Sequence, residues 1–137
     1  MTQLFDAKQL NGLSLAFIGD AVLENYIRRY LIVEKQMTKV NNMQTASKRF
    51  VSAKAQAAVF AKMEENNFLT EDEMAIFKHG RNSNIHTKAK NTDIVTYKIS
   101  TGVESLIGYL ELTDNKDRLQ EVIDFIIENV EIGRDTK

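Results

Sequence analysis

Apolar residues recur along most of the chain with the three-to-four-residue spacing of amphipathic helices. The stripe nearest the C-terminus is the clearest, with acidic residues on the opposite face; it comprises Leu119, Val122, Ile123, Ile126, Ile127 and Val130. This pattern predicts a helix that starts near Asp114, buries one face and ends at Gly133.

Four earlier helices are predicted in the same way, over about residues 12–33, 45–66, 70–80 and 92–112. The third begins with a capping box, Thr70 followed by Glu73, and Gly80 is predicted to end it. Residues 81–91 are polar and are predicted to form an irregular loop. Because the chain has no proline and only six glycines, we expect an all-α fold, a single domain over residues 1–137.

Composition excludes several classes of protein. The 137 residues contain no cysteine, so disulfides and thiolate metal sites are ruled out. The two histidines, His79 and His86, do not have the spacing of a zinc site. No apolar run reaches the length of a membrane span, and the N-terminus lacks the basic and apolar blocks of a secretory signal. We therefore expect a cytoplasmic protein with no membrane partner.

The net charge of −1 conceals a basic middle of the chain and an acidic C-terminal end. Residues 35–63 contain six basic side chains and no acidic one, whereas residues 111–137 contain eight acidic and four basic ones. Basic stretches are what phosphate binding requires, and they favour a nucleic-acid partner. The alternative is that these lysines belong to ordinary solvated helix faces.

Two carboxylates interrupt apolar helical segments. Asp20 lies in the segment LSLAFIGDAVLENYI, which is apolar in nearly all directions and is therefore predicted to form a central, buried helix. There Asp20 shares a stripe with Leu13, Phe17 and Ile27, where an unpaired carboxylate costs several kcal/mol. Glu104 similarly interrupts the segment STGVESLIGYLEL.

Each segment also has a glycine beside its acid, Gly19 next to Asp20 and Gly108 one turn after Glu104. Glycines allow close backbone approach, so we predict that the two helices cross there and bring the carboxylates together. Two such carboxylates repel each other unless a hard cation joins them. Oxygen ligands without sulfur favour Mg²⁺ or Mn²⁺.

Each acid also has a purely structural interpretation. Asp20 is then a buried acid paired with a basic residue such as Arg28 or Arg49. Glu104 is then a first-turn helix acid, which the helix dipole favours. The spacing of the residues leaves these alternatives open.

Several stretches of the chain resemble the ribonuclease III family. AFIGDAVLENYIRRYL, at residues 16–31, resembles the signature of its catalytic domain, and ESLIGYL, at residues 104–110, resembles its second acidic motif. The segment VSAKAQA, the loop HGRNSNIHTKAKN and the length of the chain together resemble the Mini-III subfamily. The larger enzymes of the family carry two further acids, at the positions of Ala16 and Thr101 here.

The resemblance implies an all-helical endonuclease fold that forms a two-fold homodimer and hydrolyses double-stranded RNA with Mg²⁺ or Mn²⁺. It implies that Asp20 and Glu104 are the catalytic and metal-binding residues, and that the products carry 5′-phosphates. Mini-III proteins lack a separate double-stranded RNA-binding domain, and their role in maturing the large-subunit (23S) ribosomal RNA precursor carries over as an expectation. Phe17 falls where the family places an aromatic residue at the subunit junction; alternatively, it is an ordinary core residue.

The polar loop is the best candidate for RNA contact. Its basic and hydrogen-bonding side chains suit phosphates and 2′-hydroxyls across the minor groove of a duplex; they are Arg81, Asn82, His86, Thr87, Lys88 and Lys90. Lys48, Arg49 and Lys54 are secondary candidates. Two other functions compete with the nuclease: a non-catalytic double-stranded RNA-binding or ribosome-assembly module of the same fold, and a purely structural helical dimer.

Overall fold

The computed structural model describes residues 6–84 and 93–135. Over these residues the chain forms six α-helices and no strand, so the predicted all-α class is confirmed. The helices are α1 (Gly12–Arg29), which continues as a π-helical segment (Tyr30–Glu34), α2 (Val40–Val51), α3 (Ala53–Glu65), α4 (Glu71–Arg81), α5 (Ile94–Leu112) and α6 (Lys116–Asp135). None of the described helices is long and apolar enough to cross a membrane.

Helix α5 is the centre of the fold, and α1, α3 and α4 all pack against it. It contains a continuous run of buried residues from Ser100 to Val103 and again from Ser105 to Gly108. Phe60 of α3 and Phe77 of α4 stack with their ring centroids 3.8 Å apart. The apolar stripe of α6 joins the same core, as predicted, with Leu119, Val122, Ile123 and Ile126 almost fully buried.

Short polar side chains set most of the helix starts, and these signals are local. Asn11 caps α1 by accepting a hydrogen bond from the backbone N–H of Ser14 (2.8 Å), and Asp93 caps α5 in the same way. The capping box of Thr70 and Glu73 at the start of α4 is confirmed. Ser52 accepts from the N–H of Ala55 and starts α3.

Three of the predicted helices have wrong boundaries. The single helix predicted over residues 45–66 begins earlier, at Val40, and is two helices, because Ser52 adopts an extended conformation between them. Helix α4 continues past Gly80 to Arg81, and the glycine instead lets the helix approach Ser105 of α5, where a Cβ would collide. Helix α6 likewise continues through Gly133 to Asp135.

Candidate functional site

Helices α1 and α5 cross with their backbones in direct contact at the two predicted glycines. A Cβ atom at Gly19 would overlap the carbonyl oxygen of Glu104, and one at Gly108 would overlap the carbonyl oxygen of Leu15. Only glycine fits at such a crossing. The Ser105 hydroxyl, 2.7 Å from the carbonyl oxygen of Gly12, ties the start of α1 to the same stretch of α5. The predicted crossing is therefore confirmed.

The crossing brings the two acids together. Burial, together with the negative charge of the Asp20 carboxylate and a hydrogen bond to it, raises the pKa of Glu104 to about 9. The charge of Glu24, one turn after Asp20, adds to this shift. Glu104 lies in the middle of the nineteen-residue helix α5, so the interpretation as a first-turn acid is wrong.

The surroundings of Asp20 differ from the predicted ones. Helix α1 buries one face only, and Asp20 is exposed together with Leu13 and Phe17 of its stripe. Apolar residues lie on most faces of this helical segment, but only one of these faces packs against α5 and the core. Asp20 thus remains accessible to a substrate, while Glu104 lies deeper beside it.

The proposed arginine partners of Asp20 are engaged elsewhere. Arg28 pairs with Glu24 (3.5 Å), and Arg49 lies 3.9 Å from a carboxylate oxygen of Glu131 on α6. Within residues 6–84 and 93–135, no ion pair involves Asp20 or Glu104. The interpretation of Asp20 as half of a buried salt bridge is therefore wrong.

The pair of acids suits a hard divalent cation. Two interacting carboxylates, one of them poorly solvated, lose their mutual repulsion when a cation joins them, and carboxylate oxygens are ligands that Mg²⁺ and Mn²⁺ accept. No group of three or more metal-binding side chains occurs in the described part of the chain. The positions of Ala16 and Thr101 are buried, and the Thr101 hydroxyl donates to the carbonyl oxygen of Tyr97 (2.9 Å). Among the described residues at this crossing, Asp20 and Glu104 are the two carboxylates that such a cation could join.

Phe17 is the most exposed large apolar side chain among the described residues, with 84% of its surface accessible. Leu13, one turn earlier on α1, is 42% exposed. The interpretation of Phe17 as a core residue is therefore wrong for the single chain. The two neighbouring exposed apolar side chains make this face of α1 a candidate for a protein–protein contact.

The predicted RNA-contact residues fall into three groups. Arg81 and Asn82 end α4, where the Arg81 guanidinium lies over the Phe77 ring and its Nε donates to the Asn82 side chain (3.2 Å). Lys48 on α2 and Lys54 on α3 are exposed, whereas Arg49 is half-buried beside Glu131. The remaining four, His86, Thr87, Lys88 and Lys90, lie outside the described residues.

Sequence reasoning missed a second group of polar residues around Arg49. Lys35, Asn42 and Thr45 line a cavity with it between the π-helical segment and α2. The run of basic residues from Lys35 onward was a signal for it, but the partners of those residues in space cannot be found from spacing.

Comparison with known proteins gives concordant similarities. The ribonuclease III domain family matches residues 13–115. The Mini-ribonuclease 3 of Streptococcus pneumoniae is 51% identical over 128 residues, which cover 93% of this chain and 99% of that protein. The Mini-ribonuclease 3 of Enterococcus faecalis is 50% identical over 91% of this chain and 94% of its own. A crystal structure of protein FN1578 from Fusobacterium nucleatum superposes with a TM-score of 0.78 at 28% identity, covering 88% of this chain and 94% of that one.

Proposed function

The chain belongs to the ribonuclease III family, and we propose that it is a cytoplasmic endoribonuclease that cuts double-stranded RNA with Mg²⁺ or Mn²⁺ held by Asp20 and Glu104. The observation that carries the proposal is the pair of interacting carboxylates at the crossing of α1 and α5. The relatives of this chain that are named Mini-ribonuclease 3 have nearly the same length as the chain itself. We further propose the 23S ribosomal RNA precursor as the natural substrate.

In the proposed chemistry the two acids bind the cation, and the solvent supplies the attacking water. A bound divalent cation would neutralise charge on the phosphodiester and lower the pKa of water. Asp20 is exposed, so a phosphate can approach it. Glu104 is more deeply buried and lies beside Asp20, where α5 crosses α1. Since Ala16 and Thr101 offer no carboxylate, Asp20 and Glu104 would hold the cation, and phosphate oxygens and water would have to supply its other ligands. Water would attack the phosphorus in line with the 3′-oxygen, forming a new P–O bond and breaking the bond to the 3′-oxygen. The water gives up a proton to the solvent and the 3′-oxygen takes one up, so the products carry 5′-phosphates and 3′-hydroxyls.

Contact with RNA is proposed at the end of α4 and along the following loop. Arg81 and Asn82 would bind phosphates or 2′-hydroxyls, together with His86, Thr87, Lys88 and Lys90. Exposed Lys48 and Lys54 suit phosphates at the periphery, and Arg49 is the least accessible of the basic candidates. Because the major groove of A-form RNA is too narrow to read, duplex shape should dominate recognition.

Incubation of the protein with long double-stranded RNA tests the activity directly. We expect cleavage with magnesium or manganese, no cleavage with a chelator, and no cleavage of duplex DNA of the same sequence. Gel analysis with end-labelled substrate follows the reaction, and labelling of the product ends checks for the 5′-phosphate. RNA that is bound but stays intact with both metals would favour the non-catalytic module of the same fold.

A two-fold dimer is proposed because a single site cuts one strand, and two sites related by symmetry reach both. The exposed apolar patch of Leu13 and Phe17 on α1 supports a contact at this face. A Phe17 side chain that is exposed in one chain would be covered in the dimer.

Replacement of Phe17 by Ala should weaken the dimer, with the dissociation constant rising roughly thirtyfold, since buried aromatic anchors contribute about 2 kcal/mol or more to an interface. Sedimentation velocity over a concentration series measures the change. Val40→Ala, which trims a similarly exposed apolar side chain on α2 (62% exposed), is the matched control and should leave the dimer intact. Equal dissociation constants for the parent and Phe17→Ala would place the interface elsewhere.

A further inference from the structure

A second polar site lies away from the acids, between the π-helical segment and α2. Here a cavity of about 470 Å³, called the α2 pocket below, is lined by Leu31, Lys35, Met37, Asn42, Thr45, Ala46 and Arg49. The lining carries two cationic side chains and no acidic one. The π-helical segment ends at Glu34 and is followed at Gln36 by a positive φ of 56°, which turns the chain toward α2.

One carboxylate outside the lining of the α2 pocket lies close to both of its cationic side chains. Glu131 on α6 accepts a hydrogen bond from the Tyr30 hydroxyl (2.6 Å), and its Oε2 atom lies 3.1 Å from Nζ of Lys35. Its Oε1 atom is 3.9 Å from Nη1 of Arg49, which is too long for a hydrogen bond. Two positive charges and one negative charge leave the cluster with a net positive charge.

The Arg49 guanidinium packs over the Phe50 ring, but not all of its N–H groups have a hydrogen-bond acceptor. Its Nη1 atom is buried and has no hydrogen-bond partner among the described residues, while its Cζ atom lies 5.2 Å from the centre of the Phe50 ring. A buried guanidinium nitrogen without an acceptor is unfavourable, so an acceptor at this point would stabilise the protein.

Helix α2 adds a neutral donor to the lining of this cavity. Asn42, in the first turn, lines the cavity and offers an amide donor. The cavity thus combines two cationic side chains, Lys35 and Arg49, with a neutral amide donor on the same face of α2 as Arg49.

We infer that the α2 pocket binds a phosphate group, with Lys35 and Arg49 as its charge partners and Asn42 as a hydrogen-bond donor. The oxygens of a tetrahedral anion can accept from Lys35, which follows the π-helical segment, and from Asn42 and Arg49 of α2 at the same time. The phosphate belongs either to the backbone of duplex RNA, which rests on the proposed function, or to a free phosphate compound, which does not.

The first arm of the test uses inorganic phosphate as the probe. At constant ionic strength, replacing chloride by phosphate should raise the melting temperature of the parent protein by a few degrees, because the ligand binds the folded state. Lys35→Gln should lose most of this rise. Glu131→Gln, which removes the opposing carboxylate, should increase it. Lys116→Gln removes an exposed charge at the opposite end of α6 and should behave as the parent.

The second arm measures binding of duplex RNA to the same variants without divalent cations. If RNA supplies the phosphate, the slope of log affinity against log salt should be smaller by roughly one for Lys35→Gln than for Lys116→Gln, since each phosphate contact releases counterions. If Lys35→Gln and Lys116→Gln differ only in the phosphate arm, the ligand of the pocket is a free phosphate compound rather than RNA.

The inference is overturned if Lys35→Gln matches Lys116→Gln in both arms. Neither arm depends on catalysis, so loss of the proposed nuclease activity and loss of the proposed pocket are seen separately. If the parent protein cuts RNA but Lys35→Gln and Lys116→Gln do not differ in either arm, the proposed function stands and the phosphate site is rejected.

Discussion

Replacing Asp20 by Asn is expected to reduce cleavage of duplex RNA by several orders of magnitude while RNA binding persists. The amide keeps the shape of the side chain but removes the charge that holds the cation, so both the attacking water and the phosphate lose their electrostatic support. Binding should survive because Arg81 and the basic loop are unchanged. Single-turnover cleavage and RNA affinity, measured on one preparation, separate the two effects.

The fold should tolerate this substitution. Asp20 is exposed and takes part in no ion pair within the described residues, so no buried cation loses its partner. Because its pKa is raised to about 9, Glu104 is protonated at neutral pH, and the Asn side chain can still accept a hydrogen bond from it, which should keep the melting temperature close to that of the parent. A drop in melting temperature together with the loss of cleavage would instead indicate a structural role.

Asp124→Asn provides the matched control, since it removes the same charge from an exposed position on α6. It should cut RNA at the parental rate. An Asp20→Asn variant that cuts at a comparable rate would show that the active site lies elsewhere.

Replacing Gly19 by Ala is expected to weaken the fold and to reduce cleavage at least tenfold. The added methyl group overlaps the carbonyl oxygen of Glu104, so α1 and α5 must move apart, and Asp20 moves away from Glu104 with them. Overpacking of this kind costs about 1–3 kcal/mol, against a gain of roughly 1 kcal/mol from the better helix propensity of Ala. Thermal unfolding and cleavage with saturating magnesium measure the two losses.

Gly133→Ala isolates the propensity effect. Among the described residues, a Cβ atom there meets no atom within 4 Å outside the neighbouring turns of its own helix. The substitution should therefore stabilise α6 by about 0.5–1 kcal/mol and leave cleavage unchanged. If Gly19→Ala instead behaves like Gly133→Ala, close contact of the two helices is not what positions the acids.

The sequence by itself determined the helical class and the start of α4, and it predicted the approach of Asp20 to Glu104, which the packing of α1 on α5 confirmed. Each of these depends on local chemistry or on a specific residue type. Thr70 and Glu73 cap a helix wherever it lies, and Gly19 and Gly108 each stand beside an acid in an apolar segment. The order of the acidic motifs also identified the ribonuclease III family, which the comparisons confirmed.

Only the tertiary structure decided which apolar faces are covered and which charges meet. Periodicity shows that Leu13 and Phe17 share a face of α1, but the packing of α1 on α5 decides that this face stays exposed. In the same way, α2 folds back toward the far end of α6, and Arg49 therefore lies beside Glu131 rather than Asp20. Burial and long-range ion pairs are properties of the assembled helices, because they depend on neighbours that are distant in the chain.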